Sequence, residues 1–248
     1  MFNKPKIVTL DLEVSPHEGY YWGKKWETDI VSPKGFGKIL CFGAKWLKEK
    51  VFVKGLIDYR NDQEVRLIRE LRELLDEADI VIGQNLKDFD LKWCNTMFLK
   101  FGLSPPSPYK VVDTKTEAKK YLKLPSYSLD DMVNYFSLGR KKSTKGFEMW
   151  EGCLNGNKSD WRTMKTYCAH DVVLTEKLYL KLLPLISHPN LGMFYGKVVC
   201  PRCGSKHFQS RGYDRTSSGT YKRLQCQSCN GWTRSPEKIE KLKLNKPI

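Results

Sequence analysis

Residues 6–14 read KIVTLDLEV, a β-branched and Leu-rich run that forms a largely buried strand yet carries two acids. Side chains alternate along a strand, so Asp11 and Glu13 emerge on one face, about 7 Å apart at Cα. Carboxylates inside an apolar strand cost several kcal/mol unless something compensates them. A bound cation would do so, and so would a strand end open to water; this strand alone leaves both readings standing.

The remaining pattern is that of an α/β chain. Residues 39–47 and 50–57 are two strands that pair antiparallel, and residues 63–77 place Val65, Ile68, Leu71, Leu74 and Leu75 on one face of an amphipathic helix. A short buried strand at 79–83 precedes a helix at 85–101. Three prolines mark 103–109 as a surface loop. A strand at 110–114 and helices at 116–124 and 127–138 follow, the last entered through Ser126 or Ser128. Residues 139–157 are basic and Gly-containing and read as a mobile loop. The longest helical pattern runs from Ser159, as its cap, to Leu183 and closes at Pro184. A strand meander followed by strand–helix alternation implies a mixed sheet flanked by helices.

Two further acids join Asp11 and Glu13. Asp90 follows the strand DIVIG at a helix start, and Asp171 lies four residues after Tyr167 on one face of the long helix. Each has an ordinary structural explanation, Asp90 as a first-turn dipole acid and Tyr167 with Asp171 as a solvated pair. As a set, Asp11-Leu12-Glu13, Asn85 with Phe89-Asp90, and Tyr167-x-x-x-Asp171 resemble the three motifs of the DEDD superfamily of 3′–5′ exonucleases, in its tyrosine subtype. The proofreading domains of family B DNA polymerases and RNase D are of this kind. The resemblance covers residues 7–183 and implies an RNase H-like fold.

It also implies a chemistry. A phosphodiester is anionic, so its hydrolysis calls for cations, and four carboxylates can hold two Mg²⁺ or Mn²⁺ about 3.5–4 Å apart. By resemblance Asp11, Glu13, Asp90 and Asp171 are the ligands, with Asp11 bridging, and Tyr167 orients the attacking water. Leu12, Asn85 and Phe89 then shape the pocket for the terminal nucleotides, Phe89 either stacking on a base or lying in the core beneath the motif. His170 stands one residue before Asp171, not five as the histidine subtype requires, and is incidental.

The eight cysteines divide unevenly. Cys41, Cys94, Cys153 and Cys168 are scattered singles, read as buried small hydrophobes. Cys200, Cys203, Cys226 and Cys229 form two CxxC pairs separated by 22 residues. That spacing places four thiolates around one structural Zn²⁺, with Gly204 and Gly231 suited to the tight turns after each pair. The module resembles a zinc ribbon. Residues 1–190 are thus expected to form the exonuclease domain, 197–235 the ribbon and 236–248 a basic tail.

Of the 248 residues, 43 are Lys or Arg and 28 are Asp or Glu, a net +15 that points to a polyanionic partner. From residue 197 onward there are 12 Lys or Arg against 3 acids, so nine of those fifteen charges belong to the cysteine module and the tail that follows it. Arg211, Lys222 and Arg223, interleaved with aromatic residues, are expected to contact phosphates. No apolar run approaches the roughly 20 residues of a membrane span. The expectation is a cytoplasmic, nucleic-acid-associated 3′–5′ exonuclease acting on single-stranded or 3′-ended DNA, with RNA as the other substrate. The alternative is a structure-selective endonuclease or a non-catalytic DNA-binding adaptor on the same fold.

Overall fold

The acid-bearing run forms β1 (Ile7–Val14) and lies in the middle of a five-stranded sheet in the computed structural model, which describes residues 4–20, 32–58, 63–196 and 198–240. After β1 come a short antiparallel pair, β2 (Glu18–Tyr20) and β3 (Ser32–Gly35), and then β4 (Ile39–Trp46) and β5 (Phe52–Gly55). A 3₁₀ turn at Leu56–Asp58 precedes α1 (Gln63–Glu77) and β6 (Ile80–Gly83). Next are α2 (Asp90–Lys100), β7 (Lys110–Asp113), α3 (Thr114–Tyr121) and α4 (Leu129–Tyr135). The series ends with α5 (Phe147–Leu154) and the 25-residue α6 (Lys158–Leu182).

The strand order is β5-β4-β1-β6-β7. β4 and β5 run antiparallel to their neighbours, whereas β6 and β7 join β1 in parallel, so the fold is a mixed sheet flanked by helices. Leu10, Phe42, Leu71, Met97 and Met164 belong to one continuous apolar core that strand and helix faces share. Burial of that core is the main favourable term in this unit's stability.

Several boundaries differ from the sequence reading, each for a local reason. Residues 85–89 form a turn, not the first turns of α2. Asn85 takes a left-handed φ of 61°, and Asp113 accepts the N–H groups of Asn85 (3.2 Å) and Lys87 (3.1 Å). Asp113 also caps α3 through Lys115 and Thr116, which starts that helix at Thr114. Ser128, of the two candidate serines, caps α4 by accepting the N–H of Asp131 at 3.1 Å. Asn157 rather than Ser159 caps α6, since its Oδ1 accepts from Ser159 and Asp160. The stretch 139–157 is not all loop: α5 forms within it, burying Met149 and Cys153 four residues apart on one face.

The chain divides into two compact units, Lys6–Leu178 and Tyr179–Ile248 with Met1–Pro5. The sequence pattern puts the boundary near 190–197; the division falls inside α6, between Leu178 and Tyr179. Tyr179, Leu182, Leu183 and Ile186 are all buried, and burial pushes the Tyr179 hydroxyl pKa up, with nearby Cys203 and Cys229 adding to the shift. The second unit adds α7 (Gly192–Tyr195) and an antiparallel sheet of β8 (Phe208–Thr216), β9 (Gly219–Cys226) and β10 (Trp232–Glu240), in the order β10-β9-β8. β10 runs five residues past the expected module end at 235; the remainder of the basic tail, 241–248, lies outside the described residues.

Candidate active site

Three elements bring the predicted acids together. β1 supplies Asp11 and Glu13 from one face of the sheet, and Gly43 of β4 stands directly opposite Asp11. A Cβ at Gly43 would fall 2.8 Å from Cys168 Sγ and 2.9 Å from Val172 Cγ2, so this glycine lets α6 lie unusually close to the sheet. That approach carries Asp171 toward β1. α2 delivers Asp90, whose Oδ1 accepts the Leu12 N–H at 3.0 Å and so ties the helix start to the strand.

The ligand atoms of Asp11, Glu13 and Cys168 lie within 4.8 Å of one another, and Asp90 and Asp171 flank this group. Asp90 and Asp171 are only 4% and 3% exposed, Glu13 is buried, and Asp11 keeps partial exposure. Burial raises the Asp11 pKa well above the usual carboxylate range, and the charges of Asp90, Glu13 and Asp171 raise it further. Glu13 is pushed up to about 8 by burial and by Asp171, and Asp90 to about 7 by burial despite the N–H groups that stabilise its charge. Four acids that each penalise ionisation are a set short of positive charge.

Lys141 supplies one such charge. Its Nζ lies 2.5 Å from Asp171 Oδ2 and 4.9 Å from the ring centroid of Tyr167, whose hydroxyl accepts from it. His170 holds the carbonyl of Arg140 at 2.8 Å, pinning the loop that carries Lys141. Burial is the chief reason that the Tyr167 hydroxyl is pushed up to about 12, so it stays protonated at neutral pH. Lys141 was not legible in the sequence: it is the middle residue of the run Arg140-Lys141-Lys142, and nothing in the pattern sets it apart. Asp113, which shapes the turn leading to Asp90, is likewise a positioning residue that spacing alone does not reveal.

The donor set fits hard divalent cations. It consists of carboxylate oxygens, and Asp171 Oδ1 is buried with no hydrogen-bond partner. Cys168, whose thiol a hydrogen bond with Cys41 and then burial hold well above its ordinary pKa, stays protonated and is a packing group.

The other predicted residues fall in varied places. Leu12 is 5% exposed and meets the site through its N–H, so its side chain belongs to the core rather than to a substrate surface. Asn85 Oδ1 accepts from Lys115 Nζ at 3.1 Å. Phe89 is 42% exposed and, with Trp93, Phe147 and Trp150, lines an apolar cleft of about 560 Å³. Trp150 meets Tyr167 edge-on at 6.4 Å, so the aromatic cleft opens beside the acids.

In the second unit the four cysteine sulfurs lie within 4.8 Å of one another, with Cys200–Cys229 at 3.7 Å and Cys203–Cys226 at 3.6 Å. These separations are far too long for disulfides. They match the edge of about 3.8 Å that a tetrahedron of thiolates 2.3 Å from Zn²⁺ would have. The left-handed knuckle residues are Gly204 (φ 72°) and Asn230 (φ 60°) rather than Gly231. Gly231 matters instead for space, because a Cβ there would lie 2.6 Å from Arg202 Cδ. Register separates the predicted phosphate contacts. Arg223 faces Arg234 across the sheet, whereas Lys222 faces Tyr213, so neighbours Lys222 and Arg223 point to opposite faces. Arg223 lies over Trp232 (5.5 Å) and donates from Nε to the carbonyl of Arg211 at 2.9 Å, and Arg234 lies over Tyr221 (4.4 Å).

A family model described as 3′-5′ exonuclease matches residues 28–187, and the chain belongs to that family of phosphodiester hydrolases. It is an enzyme of the 3′–5′ exonuclease class. The DNA polymerase delta catalytic subunits of Oryza sativa subsp. japonica and Dictyostelium discoideum are each 22% identical over 231 residues, 77% of this chain and 21% of theirs. The chain thus spans about a fifth of the length of these relatives. The family B DNA polymerase of the archaeon Pyrobaculum calidifontis has a similar fold, with a TM-score of 0.56 at 16% identity over 88% of this chain and 32% of that one. Among the described residues, no helix is long and apolar enough to cross a membrane.

Proposed function

We propose that the chain is a metal-dependent 3′–5′ exonuclease of the tyrosine DEDD subtype, on an RNase H-like fold, assisted by a zinc ribbon. The observation that supports this reading is that β1, α2 and α6 bring Asp11, Glu13, Asp90 and Asp171 near enough that the charges of Asp90 and Asp171 raise the pKa values of Asp11 and Glu13. Two Mg²⁺ or Mn²⁺ held by these four carboxylates would neutralise the phosphodiester and ease deprotonation of the attacking water. Tyr167, protonated, offers a hydrogen bond that orients that water. Lys141 holds the Tyr167 oxygen and Asp171 in a fixed relation. The aromatic cleft of Phe89, Trp93 and Trp150 excludes water and accepts the base of the terminal nucleotide by stacking. DNA is the favoured substrate, because the curated relatives are DNA polymerases.

Cys200, Cys203, Cys226 and Cys229 would hold one Zn²⁺, which fixes the fold of the second unit. The Arg223–Trp232 and Arg234–Tyr221 stacks on one face of its sheet then offer guanidinium donors to phosphates, and the exposed ring of Trp232 offers a face to a base.

Incubation of a 5′-labelled oligonucleotide with Mg²⁺ and the full-length chain should yield a ladder shortened from the 3′ end. Chelator and Asp11→Ala should each abolish it. A few discrete internal cuts, or binding without cleavage, would replace this reading with an endonuclease or an adaptor.

A further inference from the structure

Beside the acids, and sharing no lining residue with the aromatic cleft, lies a second hollow of about 230 Å³. The segment 142–144 forms one wall, and Arg162, Thr163, Thr166 and Tyr167 of α6 form the other. Its lining contains two cations and no carboxylate. Neighbouring basic residues are committed elsewhere: Lys141 pairs with Asp171 and Lys145 with Asp160. Among the described residues, neither Lys142 nor Arg162 makes an ion pair.

The hydroxyls sort by direction. Thr163 and Thr166 donate back to the carbonyls of Ser159 (3.1 Å) and Arg162 (2.8 Å), so they offer the hollow no proton. Thr144 Oγ1 instead accepts the N–H of Gly146 at 3.2 Å, which leaves its own O–H free to donate. The side-chain donors are therefore Lys142, Ser143, Arg162 and Thr144, and the hollow asks for an anion with several acceptor oxygens. Tyr167 belongs both to this hollow and to the catalytic cluster, so whatever sits here is continuous with the reacting phosphate.

Resting on the exonuclease reading above, we infer that this hollow is a seat for a backbone phosphate of the substrate strand, one or two positions 5′ of the scissile bond. The contact carries no base information and holds the strand in register while its end is cut. It gives the enzyme a preference for chains with at least one further phosphate.

The test is a cycle on the full-length chain that pairs a protein change with a substrate change. The substrates are a single-stranded oligonucleotide and variants carrying one neutral methylphosphonate linkage at successive positions from the 3′ end. The proteins are the natural chain and Lys142→Ser/Arg162→Ser. For the natural chain, KM should rise about tenfold when the linkage one or two places 5′ of the scissile bond is neutral. The double substitution should raise KM on the unmodified strand by a similar factor, and the neutral linkage should then add little more. Lys142→Arg/Arg162→Lys, which keeps both charges, should restore most of the affinity and shows that the effect is not misfolding. Additive effects at every position, or a double variant with unchanged KM, would overturn the assignment. A natural chain that shortens no strand from the 3′ end would instead overturn the exonuclease reading on which the inference rests.

Discussion

The carboxylate cluster and the cysteine cluster each crowd ionisable ligands together, but in opposite settings. The acids sit on β1, α2 and α6, around a core that includes Leu10, Phe42, Leu71 and Met164. That core packs without any contribution from the acids, whose burial and mutual proximity push Asp11 and Glu13 toward neutrality. The thiols sit in a unit whose β8 is exposed along most of its length and whose buried apolar residues in the sheet are few. If the cysteines hold the proposed Zn²⁺, a sheet so thinly covered would gain much of its stability from it. On the proposed reading, the fold would prepare the metal site in one unit, and the metal would prepare the fold in the other.

The largest expected consequence is selective unfolding. When a zinc chelator is added to the full-length chain, amide hydrogen exchange should lose its protection across β8–β10, with β1 and β4 unchanged. Retained protection in β8–β10 would erase the contrast. A smaller effect attaches to the close approach at Gly43. Gly43→Ala should lower the stability of the first unit by about 1–3 kcal/mol in denaturant unfolding, because the methyl group meets buried Cys168 and Val172. It should also slow cleavage, since Asp171 moves with α6; an unchanged midpoint would mean that α6 has slack.

Tyr167→Phe removes one oriented hydroxyl and keeps every carboxylate, so turnover should fall roughly ten- to a hundredfold with metal affinity little changed. The smallest effect is on pH dependence. Asp11, Glu13 and Asp90 have folded-state pKa values above their unfolded ones, so the folded chain holds more protons between pH 4 and 8. Metal-free stability should therefore fall as pH rises through that window, and excess Mg²⁺ should flatten the slope. An equally steep slope with Mg²⁺ would place the ion elsewhere.

Much of this was legible in sequence where local pattern and long-range role coincide. β1, α1 and α6 follow from periodicity alone, and the acids stand out because carboxylates are costly on apolar elements. Features set by tertiary contact were hidden. α5 lies between Gly146 and Asn155 in a basic stretch, and only its packing of Met149 and Cys153 makes a helix of it. The turn at residues 85–89 reads as helix until Asp113, a strand away, is seen to take its N–H groups. Lys141 gains its place from Asp171, thirty residues on in the chain. The hollow of Lys142 and Arg162 is assembled in the same way, from a loop and a helix with no shared motif.

The central claim is that four carboxylates from distant parts of the chain form one cage for divalent cations. Calorimetric titration of the zinc-loaded, full-length chain with Mn²⁺, with Asp171→Asn titrated alongside, tests it most directly. Two ions bound per natural chain, with at least one lost or strongly weakened in the variant, is the predicted result. Superimposable isotherms for the two proteins would contradict the account.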